Sequence, residues 1–509
     1  MKIGWALSFV YVLWAIGLPL ALGVLDASAA EKTGVVVGSK KFTESVVLSE
    51  LVRQALQSAG VPTEHKAEFG GTRILWNALR SGDIDIYPEY SGTIEEELLQ
   101  AKTENFEDLR ARLATLGIGV TAPLGFNNTY AVGMKKARAH QLGIARISDL
   151  AAHPEIKIGW GDEFRLRKDG WPGLKARYQL PQEVSKGLDH DIAYRALETG
   201  DIELTDLYST DAEIQYYDLK VLEDDRQYFP KYDALYVYRL DTARRRPQLR
   251  EVLDRFAGKI SAEDMIGLNR QAKIDKVPAA EVASQFLREH LGINFENQAS
   301  GRAARVAART LEHLKLVLCS LLAAIAVAIP LGIVAAKRER VGKFVLGLTG
   351  AIQTIPALAL LVILIRPLNW LGISGIGDPP ALIALFLYSL LPIVRSTHTG
   401  FQQIPRALQE TALVLGLSRR TRLLQVELPL ALPAILSGIK TSAVMNVGFA
   451  TLGALIGAGG YGQPILTGIR LDDYALILEG AIPSAVLALL VQQLFDGLEQ
   501  IVISPGLRK

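Results

Sequence analysis

Cysteine is almost absent from this sequence, and so is any excess of charge of one sign. The only cysteine, Cys319, lies in an apolar run, so no intrachain disulfide can form and cysteine usage does not indicate a compartment. Lysine and arginine number 55 against 53 acidic residues, which gives a formal charge of +2. Such a balance gives no sign of a nucleic-acid partner.

Motifs for catalysis are also lacking. The seven histidines belong to no Ser/His/Asp constellation and to no cluster with metal-ligand spacing. The segment GVVVGSKK at residues 34–41 is not a phosphate-binding loop, because three residues separate Gly34 from Gly38 and Ser39 precedes the lysine. We therefore expect no covalent chemistry and no cofactor, and any energy from ATP must be supplied by a separate chain.

The composition changes near residue 300. A length of 509 residues favours two to four domains. The chain is charged and mixed before that point and mostly apolar after it, which is typical of a domain boundary. Residues 31–295 alternate short β-rich segments with helical ones and predict an α/β fold with largely parallel sheets. Residues 296–313 form a polar linker, and residues 314–509 form a membrane domain.

The N-terminal 30 residues indicate export. A lone Lys2 is followed by an apolar stretch from Ile3 to Val24 and by Ala27-Ser28-Ala29, the small-x-small pattern of a signal-peptidase site. An uncleaved anchor helix remains open, because 22 apolar residues suffice to span a bilayer. In both cases residue 31 onward crosses the membrane.

Tyrosines are concentrated in the first half. Twelve of the 16 lie between Tyr87 and Tyr238, several of them in turn-rich segments from which a side chain can project into a cleft. Converging tyrosine faces attract a quaternary ammonium ion, which cannot donate hydrogen bonds, by about 0.5 to 2 kcal/mol per contact. The pattern predicts an aromatic cage for such a cation.

Four of these tyrosine-containing segments, together with two charged segments, follow one another along the chain. They are GSKKFTES (38–45), DIYPEYSGT (85–93), FNNTY (126–130), EFRLRKDG (163–170), TDLYSTD (205–211) and FPKYD (229–233). The set resembles the substrate-binding proteins of osmoprotectant ABC importers, the glycine betaine, choline and carnitine group, over nearly all of residues 34–293. The resemblance implies the two-lobed type II periplasmic-binding-protein fold.

The resemblance also assigns roles to individual residues. The cage would consist of Tyr90, Tyr130, Tyr208 and Tyr232. A substrate carboxylate would meet Lys40, Thr93 and Arg167, with Asn128 on the same wall. Two cations and a hydroxyl suit that task, and a guanidinium can pair with a carboxylate in bidentate fashion. Tyr87 is expected in the core and Arg165 in solvent.

The chain is expected to cross from lobe one to lobe two near Tyr130 and to return near Tyr236. Lobe one then comprises about residues 31–130 and 236–295, and lobe two about residues 131–235. The two crossings would form a hinge, and ligand in the cleft would hold the lobes closed.

The second half contains five apolar runs, most of them long enough to cross about 30 Å of hydrocarbon. They are Leu314 to Ala336, Val345 to Ile365, Ala381 to Val394, Ala434 to Ala458, and Ala481 to Ile503. Basic residues follow the first and third runs, which predicts that those loops are cytoplasmic and that the binding domain lies outside. Arg302, Arg305 and Arg309 go against this bias.

The loop at residues 406–433 contains the sequence QETALVLGLSRRTRLLQVELPLALP from Gln409 to Pro433. Its spacing resembles the EAA loop of ABC importer permeases, which docks a short cytoplasmic helix on a separate ATPase. By this resemblance the docking residues are Glu410, Thr411, Ala412, Gly416, Leu428 and Pro429, with Thr411 in place of the family's alanine. The domain as a whole resembles the all-α five-helix type I (MetI-like) permease core.

The combined interpretation is an inner-membrane ABC importer component for a quaternary ammonium osmoprotectant, working with cytosolic ATPases and a second permease copy. Ergothioneine or proline betaine could occupy the same cage. A membrane-bound ligand receptor is the remote alternative, since it needs a cytoplasmic output domain and only residues 504–509 follow the last run.

Overall fold

The computed structural model describes residues 34–183, 187–295 and 301–503. The predicted signal segment, residues 1–30, lies outside the described residues. The chain divides into two compact units, one formed mainly by residues 32–299 and the other by residues 300–468 and 474–509.

The strands of the first unit form two main sheets. They are β1 (Val35–Gly38), β2 (Thr63–Lys66), β3 (Ile86–Tyr90), β4 (Ile118–Val120), β5 (Tyr130–Lys135), β6 (Trp160–Gly161), β7 (Gly187–Leu188), β8 (Thr205–Tyr208), β9 (Leu219–Val221) and β10 (Ala234–Arg239). The first sheet has the order β2-β1-β3-β10-β4, the second has the order β8-β5-β9, and β6 pairs with β7.

Helices cover these sheets. They are α1 (Thr43–Ser58), α2 (Thr72–Ser81), α3 (Ser91–Thr93, continued by a π-helical segment Ile94–Leu99), α4 (Phe106–Thr115), α5 (Lys136–Leu142), α6 (Asp162–Leu166), α7 (Trp171–Tyr178), α8 (His190–Thr199), α9 (Glu213–Tyr216), α10 (Leu240–Arg245), α11 (Gln248–Asp254), α12 (Ala262–Lys273) and α13 (Ala279–Leu291), with a 3-10 helix at Ile147–Ala152. Valines 35 and 37 of β1 and leucines 48 and 51 of α1 are fully buried, so this strand and helix form the centre of the first lobe's core.

Two segments carry the chain between the sheets. The predicted crossings, near Tyr130 and Tyr236, fall on β5 and β10. The segments before these strands are hydrogen-bonded to each other: Asn128 N donates to the Tyr232 carbonyl at 3.0 Å, and Tyr232 N donates to Asn127 Oδ1 at 2.6 Å. The two segments that connect the sheets therefore run side by side, as a hinge of two crossings requires.

The expectation of largely parallel sheets is wrong for the second lobe. In the first sheet β1 pairs in parallel with β2 and β3, but β10 is antiparallel to β3 and β4. In the second sheet β5 is antiparallel to both β8 and β9. The strands β5 and β10 follow the crossings directly, so each enters its sheet against the direction of its neighbours.

Glu50 of α1 is a buried carboxylate that pairs with two basic side chains of the first lobe. Its carboxylate lies 2.6 Å from His65 Nδ1 and 2.7 Å from Arg53 Nη2. Burial alone raises the pKa of Glu50, but the hydrogen bonds and charges of His65 and Arg53 outweigh it and lower the pKa to about 2.

We expect Glu50 to make the stability of this lobe pH-dependent. A carboxyl whose pKa is lower in the folded state stabilises the fold above its unfolded pKa and loses that contribution as the pH falls through the folded value. The loss should amount to about 3 kcal/mol between about pH 4.5 and pH 2. Urea unfolding at stepped pH should show a smaller pH dependence for Glu50→Gln than for the parent. Glu107→Gln, at an exposed ion pair, is the control and should leave the dependence unchanged.

Residues 301–503 of the second unit form helices and the segments that connect them. Its helices are α14 (Arg302–Lys337), α15 (Glu339–Thr354), α16 (Ala357–Trp370), α17 (Asp378–Gln402), α18 (Arg406–Val414), α19 (Arg419–Arg422), α20 (Leu428–Ala450), α21 (Gly462–Leu471) and α22 (Tyr474–Val502), with a π-helical segment at Leu423–Glu427 and a 3-10 helix at Thr451–Ile456. Among the described residues, four helical segments are long and apolar enough to cross a membrane, or up to five if the bent pair α15 and α16 counts as one span.

The predicted second run, Val345 to Ile365, is broken in the structure. α15 and α16 meet at an angle of 102°. The residue before a proline is disfavoured in the helical region, and Ile355, which precedes Pro356, is extended with φ −69° and ψ 126°. The sequence QTIPA therefore marks a bend inside the apolar run.

Other predicted boundaries also shift. Residues 302–313, expected to be a linker, form the first turns of α14. α17 extends the short third run at both ends, so Arg395 lies within the helix and not after it. The last six residues of the predicted docking loop, residues 406–433, form the first turns of α20.

Polar contacts join the long helices. Asn446 Nδ2 donates to Ser389 Oγ at 2.9 Å and to Ser320 Oγ at 3.2 Å, which makes it an interhelical hydrogen-bond donor. Lys440 and Asp496 form an ion pair between α20 and α22. Arg302 and Arg305 pair with Glu479 at the start of α22. That carboxylate offsets part of the basic charge which opposes the predicted orientation.

Candidate functional site

The four predicted cage tyrosines belong to one ring network. Tyr130 and Tyr208 are register partners on β5 and β8, with ring centroids 5.3 Å apart. The ring of Tyr232 meets Tyr130 edge-on at 5.6 Å. Tyr90, at the end of β3, connects through Phe42, whose ring lies 6.3 Å from Tyr90 and 5.6 Å from Tyr208. The network therefore takes rings from both lobes and from the hinge.

Three phenylalanines complete this network and were not among the predicted site residues. Besides Phe42, Phe164 lies 5.0 Å from Tyr130 and Phe229 lies 6.2 Å from it. All three lie in the six segments that resemble the family, a signal that counting tyrosines alone does not detect. We call the seven rings of Phe42, Tyr90, Tyr130, Phe164, Tyr208, Phe229 and Tyr232 the aromatic cluster.

Both predicted cations are already paired with buried carboxylates. Lys40 forms an ion pair with Glu89, which is fully buried. Arg167 donates from Nε to Asp169 Oδ1 at 2.8 Å and pairs with Oδ2 as well. Burial raises the pKa of Asp169, but the hydrogen bond and charge of Arg167 outweigh this and lower it. A substrate carboxylate approaching Arg167 has to share it with Asp169.

These ion pairs lie against the aromatic cluster. The Arg167 Cζ atom is 5.6 Å from the centroid of the Tyr130 ring, and Lys40 Nζ is 5.4 Å from that of Tyr90. Tyr232 also donates its hydroxyl to Asp169 Oδ2 at 2.7 Å. The predicted cage and the predicted carboxylate-binding cations are therefore neighbours.

The remaining predicted residues are both buried. Thr93 closes α3, directly after the strand that ends in Tyr90, and is 4% exposed. Asn128 donates from Nδ2 to Glu44 Oε1 at 2.8 Å. Tyr87 is fully buried, as expected, whereas Arg165 is half-buried and not solvent-exposed.

Glu44 is a site residue that sequence reasoning missed. Its side chain is buried, and its carboxylate accepts hydrogen bonds from the side chains of Tyr90, Asn128, Thr210 and Asn269. Burial raises the pKa of Glu44, although these four bonds lower it in part. Glu44 lies two residues after Phe42 in the segment GSKKFTES. No periodicity indicates its hydrogen-bond partners, because they come from distant parts of the chain.

A buried histidine lies behind Tyr208. The His190 ring centroid is 4.4 Å from that of Tyr208. Its ring nitrogens lie 3.3 Å from Asp206 Oδ2 and 3.1 Å from Asp211 Oδ2. Burial lowers the pKa of His190, but the hydrogen bonds and charges of these two carboxylates outweigh it and raise the pKa well above its ordinary value. One imidazolium against two carboxylates leaves a net negative charge, which favours a cation at Tyr208.

Within residues 34–183, 187–295 and 301–503, no three His, Cys, Asp or Glu side chains are arranged to hold an ion. The chemistry offered by the cluster is recognition, by aromatic faces, paired charges and buried hydrogen bonds.

The predicted docking segment forms a second candidate site in the helical unit. Glu410 and Thr411 are exposed on α18, Ala412 is buried, and Gly416 follows the helix with φ +68°. That left-handed conformation favours glycine. Leu413, Val414 and Leu415 are 58%, 88% and 70% exposed. Leu428 and Pro429 begin α20, which connects the segment to a long apolar helix.

Both halves match known families. Residues 33–289 match the substrate-binding domain of the ABC-type glycine betaine transport system. Residues 328–504 match the inner membrane component of binding-protein-dependent transport systems.

Individual relatives cover different parts of the chain. A Helicobacter pylori protein described as an ergothioneine transport permease and binding protein is 33% identical over 54% of this chain, which spans only 51% of that relative. A Salmonella typhimurium osmoprotectant import permease is 39% identical over 40% of this chain and 95% of the relative. A solved structure described as a glycine betaine/carnitine/choline ABC transporter is 29% identical, covers 51% of this chain and all of its own, and has a TM-score of 0.44.

Proposed function

Because this chain belongs to the family of substrate-binding domains of ABC-type glycine betaine transport systems and continues into a binding-protein-dependent inner membrane component, we propose that it is the fused binding and pore subunit of an ABC importer. Its cargo is a quaternary ammonium compound of the glycine betaine, choline or carnitine type. The observation that carries the proposal is the aromatic cluster, in which Tyr90, Tyr130, Tyr208 and Tyr232 belong to one network.

The physical reason is that a quaternary ammonium ion has no N–H to donate. It is held by the negative faces of aromatic rings, each contact contributing about 0.5 to 2 kcal/mol. The carboxylates around His190 add a negative field behind Tyr208. A ligand without a cationic group gains no cation–π attraction from these rings.

Ergothioneine is the second candidate cargo. The Helicobacter pylori relative is described as binding and transporting it. Ergothioneine carries a trimethylammonium group beside a carboxylate, so the same rings and cations suit it. Titration with choline, glycine betaine, carnitine, proline betaine and ergothioneine separates the candidates.

The proposed topology places the binding unit outside the cytoplasmic membrane and α18 in the cytoplasm. Four basic residues at the end of α14 and the start of α15 support this, since basic loops favour the cytoplasmic side. They are Lys337, Arg338, Arg340 and Lys343. The proposed partners are cytosolic ATPase subunits on α18 and a second copy of this chain to complete the pore.

The carboxylate-binding role of Arg167 is tested by its replacement. We expect Arg167→Ala to weaken glycine betaine about 10-fold or more and choline less than about 3-fold, because a charge-assisted hydrogen bond contributes about 1.5 to 3 kcal/mol and choline has no carboxylate. Asp169, left without its partner, also repels an anionic group. Calorimetry on the full chain in lipid nanodiscs measures both ligands.

Arg165→Ala is the matched control, because Arg165 is a half-buried arginine two residues away whose nearest carboxylate is 4.0 Å distant. It should leave both affinities unchanged. Equal loss of the two ligands in Arg167→Ala contradicts the carboxylate role and assigns Arg167 to support of the Tyr130 ring. Failure of the parent protein to bind any of the five ligands contradicts the proposed cargo.

A further inference from the structure

Glu44 is a buried carboxylate without a cationic partner. No ion pair in residues 34–183, 187–295 and 301–503 includes it, and its side chain is 3% exposed. Burying a charge is costly unless hydrogen bonds compensate. The four neutral donors around Glu44 provide that compensation, and their arrangement has to be kept for the fold to tolerate the charge.

The four donors come from separate parts of the binding unit. Tyr90 ends β3 of the first lobe, and its hydroxyl donates to Oε1 at 2.6 Å. Asn269 on α12 also belongs to the first lobe and donates to Oε2 at 3.0 Å. Asn128 belongs to the first hinge segment, and Thr210 follows β8 of the second lobe.

Thr210 makes two hydrogen bonds to the first lobe, one to Glu44 and one to Asn269. Its hydroxyl donates to Glu44 Oε2, and its backbone carbonyl accepts from Asn269 Nδ2 at 3.0 Å. Thr210 lies two residues after Tyr208, so one turn carries both a cage ring and the contact to Glu44. Thr210 is therefore a second-lobe residue that contacts two first-lobe side chains, Glu44 and Asn269.

We propose that Glu44 is a positioning residue that latches the two lobes together through Thr210 and, in the same closed arrangement, holds the Tyr90 ring in the cage. This inference rests on the proposed function only for the identity of the ligand. The hydroxyl of Tyr90 is committed to Glu44, so the ligand meets the face of that ring and not its oxygen. Ligand affinity then depends on a residue that does not touch the ligand.

The latch is tested by the distance between the lobes. Spin labels at Ala111→Cys on α4 and Ala176→Cys on α7, both exposed positions, report that distance in the full chain with Cys319→Ser in nanodiscs. We expect Thr210→Val and Glu44→Gln to enlarge the long-distance population without ligand. Thr210→Ser keeps the hydroxyl and should match the parent.

Binding of choline chloride tests the second role of Glu44, which is to hold the Tyr90 ring in the cage. Thr210→Val and Glu44→Gln should each weaken choline binding about 10-fold, as expected when one hydrogen bond to a charged group is lost. Tyr90→Phe, which keeps the ring but removes the bond to Glu44, should weaken binding by a smaller factor. Its effect should be less than additive with Glu44→Gln, because both remove the same bond.

The outcomes separate the latch from the cargo. An unliganded distance distribution in Thr210→Val equal to that of the parent overturns the latch, whatever binds. So does a Thr210→Ser protein that behaves like Thr210→Val. If the parent binds none of the ligands in the panel, the proposed cargo fails, while the unliganded distances still decide whether Glu44 joins the lobes. Should Glu44→Gln not fold, Thr210→Val carries the test.

Discussion

Replacing Tyr130 with alanine is expected to lower the affinity for a quaternary ammonium ligand by at least about 30-fold. Tyr130 is the centre of the aromatic cluster, with ring contacts to Tyr208, Phe164, Phe229 and Tyr232. Its loss removes one cation–π contact directly. It also removes the ring against which these four neighbours pack, so that they lose their fixed positions.

Tyr130→Phe is the control that isolates the ring from the hydroxyl. It keeps the aromatic face and the packing and should bind within about 3-fold of the parent, because the cation interacts with the ring face. Calorimetry gives both affinities. Thermal unfolding without ligand shows whether the alanine variant is folded, since truncation of a buried aromatic residue costs about 3 to 5 kcal/mol. An alanine variant that is folded and binds normally contradicts the cage.

Leu413→Asp is expected to abolish transport and leave ligand binding intact. Leu413 is 58% exposed on α18 and lies beside Val414 and Leu415, which are still more exposed. A row of exposed apolar side chains at a helix end is typical of an interaction surface. A carboxylate placed in that surface is desolvated without a partner when a second protein docks there, which costs several kcal/mol.

The measurement is uptake of labelled choline into proteoliposomes that contain the chain and the proposed ATPase subunits, together with calorimetry on the chain alone. Uptake should fall at least about 100-fold, the effect of about 3 kcal/mol lost at an interface. Leu413→Met keeps the apolar area and should transport normally. If Leu413→Asp transports at the parental rate, α18 does not carry the ATPase contact. If it loses ligand binding as well, the substitution has damaged the fold.

Much of the candidate site could be proposed from the sequence because its residues lie in short segments. Tyr90, Tyr130 and Tyr208 lie at strand ends and Tyr232 lies two residues before β10. They were predicted because the segments that contain them resemble those of the osmoprotectant-binding family. The binding half was likewise predictable as α/β, since β1 and α1 are marked by an apolar strand followed by an amphipathic helix.

Other features depend on pairs of residues that are distant along the chain. Lys40 pairs with Glu89, which is 49 residues away along the chain, and Glu44 accepts a hydrogen bond from Asn269, which is 225 residues away. No periodicity reports such pairs, so the ion pair of Lys40 with Glu89 was not predicted. Arg167 pairs with Asp169, only two residues further along the chain, but spacing alone does not show that these two side chains meet. The antiparallel direction of β5 is missed for the same reason, because alternation of strands and helices does not show which way a strand enters its sheet.

The membrane half gives a further contrast. Apolar composition alone was enough to find the long helices, because a span must be about 20 apolar residues long to cross the hydrocarbon. It could not show the bend of 102° at Pro356. That bend depends on a local steric conflict and not on hydrophobicity, and a window average over Val345 to Ile365 passes over it.

The sequence by itself determined the division into a mixed α/β half and an apolar helical half, the aromatic segments and the exposed helix at Glu410, because each is written in neighbouring residues. Only the tertiary structure decided that the four tyrosines share one ring network, that both cations are neutralised, and that the Glu44 carboxylate accepts hydrogen bonds from residues of both lobes. The reason is that burial and charge pairing depend on which distant segments meet, and folding, not local order, brings them together.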